Sequence, residues 1–185
     1  MTAASLILVR HARPKIDPDI APSKWDLCPD GRVAAARLAE RLARFAPVAA
    51  VTSAELKAIE TAKILAEALK IPLDVDPALG EHKRQHASFG TEAEFQARIA
   101  EVFTHPHAPA PGGESAEQAC ERLTQALAQH KARPLLAVTH GTVLSLYVAK
   151  LLGLDAHDLW RNLHTPDAFV FDASGALIER LSPRP

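Results

Sequence analysis

The chain has 185 residues, 23% of them charged, with a formal net charge of −1. That length suits one domain with a substantial core, and the near-neutral balance excludes a global field drawing the protein to nucleic acid or a membrane surface. Cys28 and Cys120 are the only cysteines, which excludes a disulfide framework and any Cys-x-x-Cys metal or redox spacing.

The first apolar run, Ser5 to Val9, is β-forming and stops abruptly at Arg10-His11-Ala12-Arg13-Pro14. A short apolar run bounded by charge and proline reads as a fully buried strand, and its C-terminal end is where an open α/β sheet binds ligands. The run is too short for a signal peptide and has no basic segment before it. No stretch reaches transmembrane length either, so a cytoplasmic location is expected.

Residues 13–29 hold four prolines and little periodicity, predicting a loop over the mouth of that strand. Asp30 is the expected N-cap of a helix with Ala34, Leu38, Leu42 and Phe45 on its apolar face. A strand over 49–52 and a helix over 55–69, with Leu56, Ile59, Ala62, Leu65 and Leu69 inward, come next. A strand over 72–75 completes the β-α-β alternation of a mostly parallel sheet.

Residues 76–90 are polar and aperiodic, so a loop is expected. Thr91 with Glu94 and Ser115 with Gln118 form capping boxes. The first opens a helix carrying Phe95, Ile99, Val102 and Phe103; the second opens one with Ala119, Leu123, Ala126 and Leu127 inward. Between them, three prolines make residues 105–113 irregular. Leu135 to Val138 is another buried strand, ending at Thr139-His140-Gly141. A helix apolar on most sides follows over 143–152 and stops at Gly153. Residues 168–171 and 176–178 read as an antiparallel pair.

Two buried strands thus each finish in a histidine. If they are neighbours, His11, His140 and Arg10 line one anion-binding pocket. Arg10 offers a planar fork for two oxygens. His140 is followed by Gly141, where the backbone approaches closely and a helix N-terminus opens.

Arg10-His11 after a strand, Leu56-Lys57-Ala58-Ile59-Glu60-Thr61-Ala62, Gly113-Glu114-Ser115 and His140-Gly141, in this order, resemble the histidine phosphatase superfamily, which includes the cofactor-dependent phosphoglycerate mutases. The resemblance runs from about Leu6 to Phe171. It implies a single three-layer α/β/α domain over residues 1–185, with a mostly parallel central sheet flanked by helices. It also implies a phosphatase hydrolysing a small phosphate monoester through a phosphohistidine, without metal or cofactor and with no nucleic-acid or membrane partner. His11 is then the nucleophile, His140 a stabiliser of transition-state charge, and Arg10, Lys57 and Gly141 the phosphate-binding positions. Glu81, in Ala78-Leu79-Gly80-Glu81, resembles the family's glutamate that protonates the leaving oxygen. Glu114 is its rival, with a structural duty as the other reading.

The chain also departs from the family's pattern. Lys57 stands where an arginine is usual, keeping the charge without the two-pronged geometry; pairing with Glu60 on a solvated helix face is its other reading. Ala12 replaces a glycine, Asp17 stands where mutases often have an asparagine, and the segment after Glu81 is unrecognisable apart from Phe89-Gly90. Mutase-type phosphoryl transfer and a catalytically weak phospho-ligand binding module therefore stay open beside the phosphatase. His82 with His86, and His105 with His107, are spaced for metal binding but lack a third ligand nearby. Oligomeric state is open.

Overall fold

The computed structural model describes residues 3–84 and 91–183. Six strands form one sheet: β1 (Ala4–Arg10), β2 (Ala49–Thr52), β3 (Leu73–Val75), β4 (Leu135–Thr139), β5 (Asp167–Asp172) and β6 (Leu177–Leu181), in the spatial order β3-β2-β4-β1-β5-β6. The pairs β1·β4, β2·β4 and β2·β3 are parallel, as helical crossovers require. β5 runs antiparallel to β1 and to β6, so only β6 of that pair is an edge.

Helices cover both faces, which is why the central strands are apolar at consecutive positions rather than alternate ones. Ile7 and Val9 face α1 (Pro29–Leu42) and α2 (Leu56–Leu69), packing with Leu38, Leu42, Ala62 and Leu65. Leu8 faces α4 (Ala116–Gln129) and α5 (Gly141–Leu152), packing with Leu123, Leu127, Val143 and Val148. The remaining helices are α3 (Glu92–Thr104) and α6 (Ala156–Arg161). No helix among the described residues is long and apolar enough to cross a membrane.

Several boundaries differ from the sequence reading. Cys28, not Asp30, caps α1: its Sγ accepts from Gly31 N at 3.3 Å, because Pro29 is preset for the first helical position and moves the start back. The buried stripe of α2 is Lys57, Ala58, Thr61, Ala62, Leu65 and Ala66. Leu56 is exposed, and the lysine takes the inward position because that face meets the site. Phe95 is likewise exposed and rests on Trp160 of α6. α6 is too short to show a period; Asp155 caps it, accepting from Asp158 N at 2.7 Å. α5 begins at Gly141, directly after the strand-end histidine.

Candidate active site

β1 and β4 are hydrogen-bonded neighbours in parallel register, with Arg10 opposite Thr139. The next residue of each strand is therefore carried to one place. His11 N donates to Thr139 O at 3.0 Å, and the His11 and His140 rings lie with centroids 5.2 Å apart and planes 59° from parallel. Both residues are buried.

His11 Nδ1 is 2.8 Å from Ala12 O. A carbonyl only accepts, so Nδ1 carries the proton and Nε2 presents its lone pair. Burial pushes the His11 pKa well below its usual value, helped by His140 and Lys57 and opposed by the Ala12 hydrogen bond. The ring is neutral at physiological pH. Ala12 N donates to Thr61 Oγ1 at 2.9 Å, and that hydroxyl donates to Lys57 O at 2.7 Å. Thr61 thus pins the backbone behind the imidazole, which explains a threonine in the α2 motif.

Arg10 Nη1 donates to Leu163 O at 3.1 Å, while its buried Nε has no partner among the described residues. A buried, unpaired guanidinium N–H is costly unless something arrives to accept it. A Cβ at Gly141 would lie 3.2 Å from Arg10 Nε and 3.3 Å from Cζ and Nη2, so the glycine makes room for the guanidinium plane. The loop holding Arg10 is anchored by Asp167, fully buried, which accepts from His164 N at 3.1 Å, Arg180 Nη2 at 2.6 Å and Ser182 Oγ at 2.9 Å.

Lys57 is buried and donates to Pro22 O at 2.8 Å and to Glu55 Oε2 at 2.5 Å. The expected alternative partner, Glu60, faces away; it takes Arg32 at 2.8 Å and Leu27 N at 2.7 Å. Lys57 ties down the loop between β1 and α1 and adds positive potential at both histidines.

The open N-terminus expected for α5 is already occupied. Glu81 Oε2 accepts from Thr142 N at 3.1 Å, and Oε1 from Val143 N at 3.2 Å and His82 N at 2.8 Å. Burial alone would raise its pKa, but Arg84, His140 and the backbone donors outweigh that and bring it to about 2. Glu81 is an anion seated on the helix. The turn carrying it is braced by Arg122, which donates to Ala78 O at 2.6 Å and Gly80 O at 3.0 Å and is clamped by Glu114 at 2.6 and 3.1 Å. Gly113 sits where a Cβ would be 1.9 Å from Lys83 O, so only glycine lets this clamp close. Glu114 is spent on the brace.

His140 Nε2 lies 2.7 Å from Ser53 Oγ and 3.3 Å from Glu55 Oε1. Its Nδ1 is buried without a partner among the described residues. Burial lowers its pKa to about 3, with Lys57 and Arg10 adding to the effect and Glu81 opposing it.

The structure therefore brings Arg10, His11, Lys57, Glu81, His140 and Gly141 together. The sequence reading missed Ser53, Glu55 and Asp167, none of which has a spacing that marks it. Asp17 stays in its own loop, its carboxylate accepting from Asp19 N at 3.0 Å. His86 and Phe89-Gly90 lie outside the described residues. His107 pairs with Glu117 at 2.9 Å, and the described residues hold no group of three metal-ligating side chains.

The model of the histidine phosphatase superfamily (branch 1) matches residues 6–171. The chain belongs to this superfamily. Solved histidine-phosphatase-like structures share its fold. Bacillus stearothermophilus YhfR has 27% identity and a TM-score of 0.72, with 95% of this chain and 94% of that one covered. A mycobacterial glucosyl-3-phosphoglycerate phosphatase complexed with VO3 has 21% identity and a TM-score of 0.72, covering 98% and 100%. An Entamoeba histolytica phosphoserine phosphatase has 18% identity and a TM-score of 0.72, covering 97% and 98%. None of the curated proteins matches the chain.

Proposed function

We propose that the protein is a phosphatase that hydrolyses a small phosphate monoester through a phosphohistidine on His11, with no metal or cofactor required. One observation carries the reading: His11 is held neutral with its lone pair on Nε2, its ring centroid 5.2 Å from that of a second buried imidazole, beside an arginine whose Nε lacks an acceptor among the described residues. A neutral imidazole is the nucleophilic form, and the unpaired Arg10 Nε–H beside it suits a phosphoryl group whose charge spreads over its non-bridging oxygens. Among the fold relatives are a glucosyl-3-phosphoglycerate phosphatase and a phosphoserine phosphatase, which agrees with a small phosphorylated substrate. The cytoplasm is the proposed location, which the two free cysteines suit.

In the proposed reaction His11 Nε2 attacks phosphorus and the ester P–O bond breaks. Arg10, Lys57, the Gly141 backbone and His140 hold the phosphoryl oxygens. Glu81 supplies the proton to the leaving oxygen. It is ionised in the free protein; a phosphoryl dianion arriving at the same helix end raises its pKa, so Glu81 takes up one proton from solvent as substrate binds and returns one to solvent when phosphate leaves. Water then attacks phosphorus, gives a proton to Glu81, and the P–N bond breaks. Neutral His11 is restored and inorganic phosphate leaves.

The test compares wild type with His11→Ala on p-nitrophenyl phosphate. Loss of activity by about a thousandfold or more is expected, together with an acid-labile phosphoenzyme formed by wild type alone. Equal rates in the two proteins refute the proposal.

A further inference from the structure

Glu55 is an unexpected carboxylate at the edge of a pocket read as anion-binding. It precedes α2 as the N-cap residue, with φ −80° and ψ 137°. In a continuous helix, residues two apart do not face each other; the extended backbone at Glu55 is what swings its side chain round to Lys57. Oε2 accepts from Lys57 Nζ at 2.5 Å, and Oε1 accepts from Glu81 N at 3.1 Å and stands 3.3 Å from His140 Nε2. One carboxylate therefore joins the lysine, the turn carrying Glu81, and the second histidine.

The position of the proton on His140 follows from these contacts. A carboxylate facing a ring nitrogen favours N–H there and disfavours a lone pair. Ser53 Oγ, 2.7 Å from Nε2, also accepts from Glu55 N at 3.2 Å, so serine and glutamate form one bracket around that edge of the ring. The opposite edge carries Nδ1, buried and without a partner among the described residues. With Nε2 protonated, Nδ1 has to gain a second proton before it can donate to a phosphoryl oxygen. A phosphate ester near neutral pH exists partly as its monoanion, whose proton is available for this.

We propose that Glu55 is a positioning residue that fixes the His140 proton on Nε2, directs Nδ1 at the phosphoryl group, and balances the imidazolium that forms when substrate binds. This role rests on the phosphatase reading for its purpose, though the proton position stands independently of turnover. The charged and titratable groups facing His140 are His11 and Arg10 from the end of β1, Glu55 and Lys57 from the start of α2, Glu81 from the turn after β3, and Arg122 from α4. Arg10, Lys57 and Arg122 oppose a second proton on the ring. Glu55, in contact with the ring, and Glu81 are the anions that favour it.

Nitrogen NMR of the histidine rings tests this on wild type and Glu55→Gln, which keeps size and removes charge. In wild type without ligand the His140 proton should be on Nε2. In saturating inorganic phosphate, the pH at which the ring takes its second proton should fall by about one unit in Glu55→Gln. In steady-state assays kcat should drop about tenfold, with KM changed less than about twofold. A wild-type proton on Nδ1, or equal titration midpoints in the two proteins, overturns the proposal. Wild type inactive on every phosphate ester but protonated on Nε2 would sink the phosphatase reading and leave the positioning role standing.

Discussion

Replacing Gly141 with alanine separates what the site needs from what the fold needs. The position opens α5, where alanine is favoured over glycine by up to about 1 kcal/mol, so the helix itself gains. The new Cβ would sit 3.2 Å from Arg10 Nε and 3.3 Å from Cζ and Nη2, too close for the guanidinium to keep its plane. Arg10 has little freedom to retreat, because Nη1 is tied to Leu163 O at 3.1 Å. A tilt of a few tenths of an ångström would spoil one of the two hydrogen bonds proposed between Arg10 and the phosphoryl group. A hydrogen bond to a charged group is worth about 1.5–3 kcal/mol, which is about 10- to 100-fold in kcat/KM. The assay pairs thermal unfolding with steady-state kinetics on p-nitrophenyl phosphate. The expected result is an unchanged or slightly higher Tm together with that fall in kcat/KM. Unchanged kcat/KM at unchanged stability refutes the reasoning, since the guanidinium plane would then not be in use.

Lys57→Ala removes the ammonium donor from Glu55 Oε2 and Pro22 O; stability should fall by about 1–3 kcal/mol in chemical denaturation, and KM should rise with it, whereas a loss of stability alone would make Lys57 a purely structural cation. Asp167→Asn removes the charge from a fully buried carboxylate paired with Arg180, costing about 3 kcal/mol and lowering Tm by about 6–12 °C; KM should also rise as the Leu163–His164 loop loosens around Arg10. Glu81, whose pKa falls from 4.5 to about 2 on folding, contributes stability that is fully present above about pH 4.5 and is lost as pH falls through 2. That contribution is about 3 kcal/mol. A pH series of unfolding curves should show the loss in wild type and a flatter acid limb in Glu81→Gln, and parallel limbs would contradict the assignment.

Much of the site was legible because strand ends can be read from a sequence. The buried runs ending at Arg10-His11 and His140-Gly141 specify where side chains emerge once the strands are adjacent, and the alternation of strands and helices made that adjacency the expected one. What stayed hidden depends on backbone conformation or on distant partners. Nothing in Glu55-Leu56-Lys57 shows that the first residue lies outside the helix and reaches the third. Hydrophobic periodicity misplaces the inward face of α2, because it cannot foresee a buried cation such as Lys57. Asp167 opens a strand, and its partners Arg180 and Ser182 come from the next strand and just beyond it. The seat of Glu81 on α5 joins residues about 60 positions apart, a contact that no local pattern encodes.

That seat gives the candidate site a tethered anion of its own. In the proposed reaction a phosphate reaching Arg10 and Lys57 meets, beside them, a carboxylate that cannot diffuse away and is always present at high effective concentration. Inorganic phosphate, smaller than any ester and lacking an alcohol portion to make further contacts, has least to offset the repulsion between them. On the proposed phosphatase reading, the same repulsion that weakens capture of inorganic phosphate would speed its departure after each turnover.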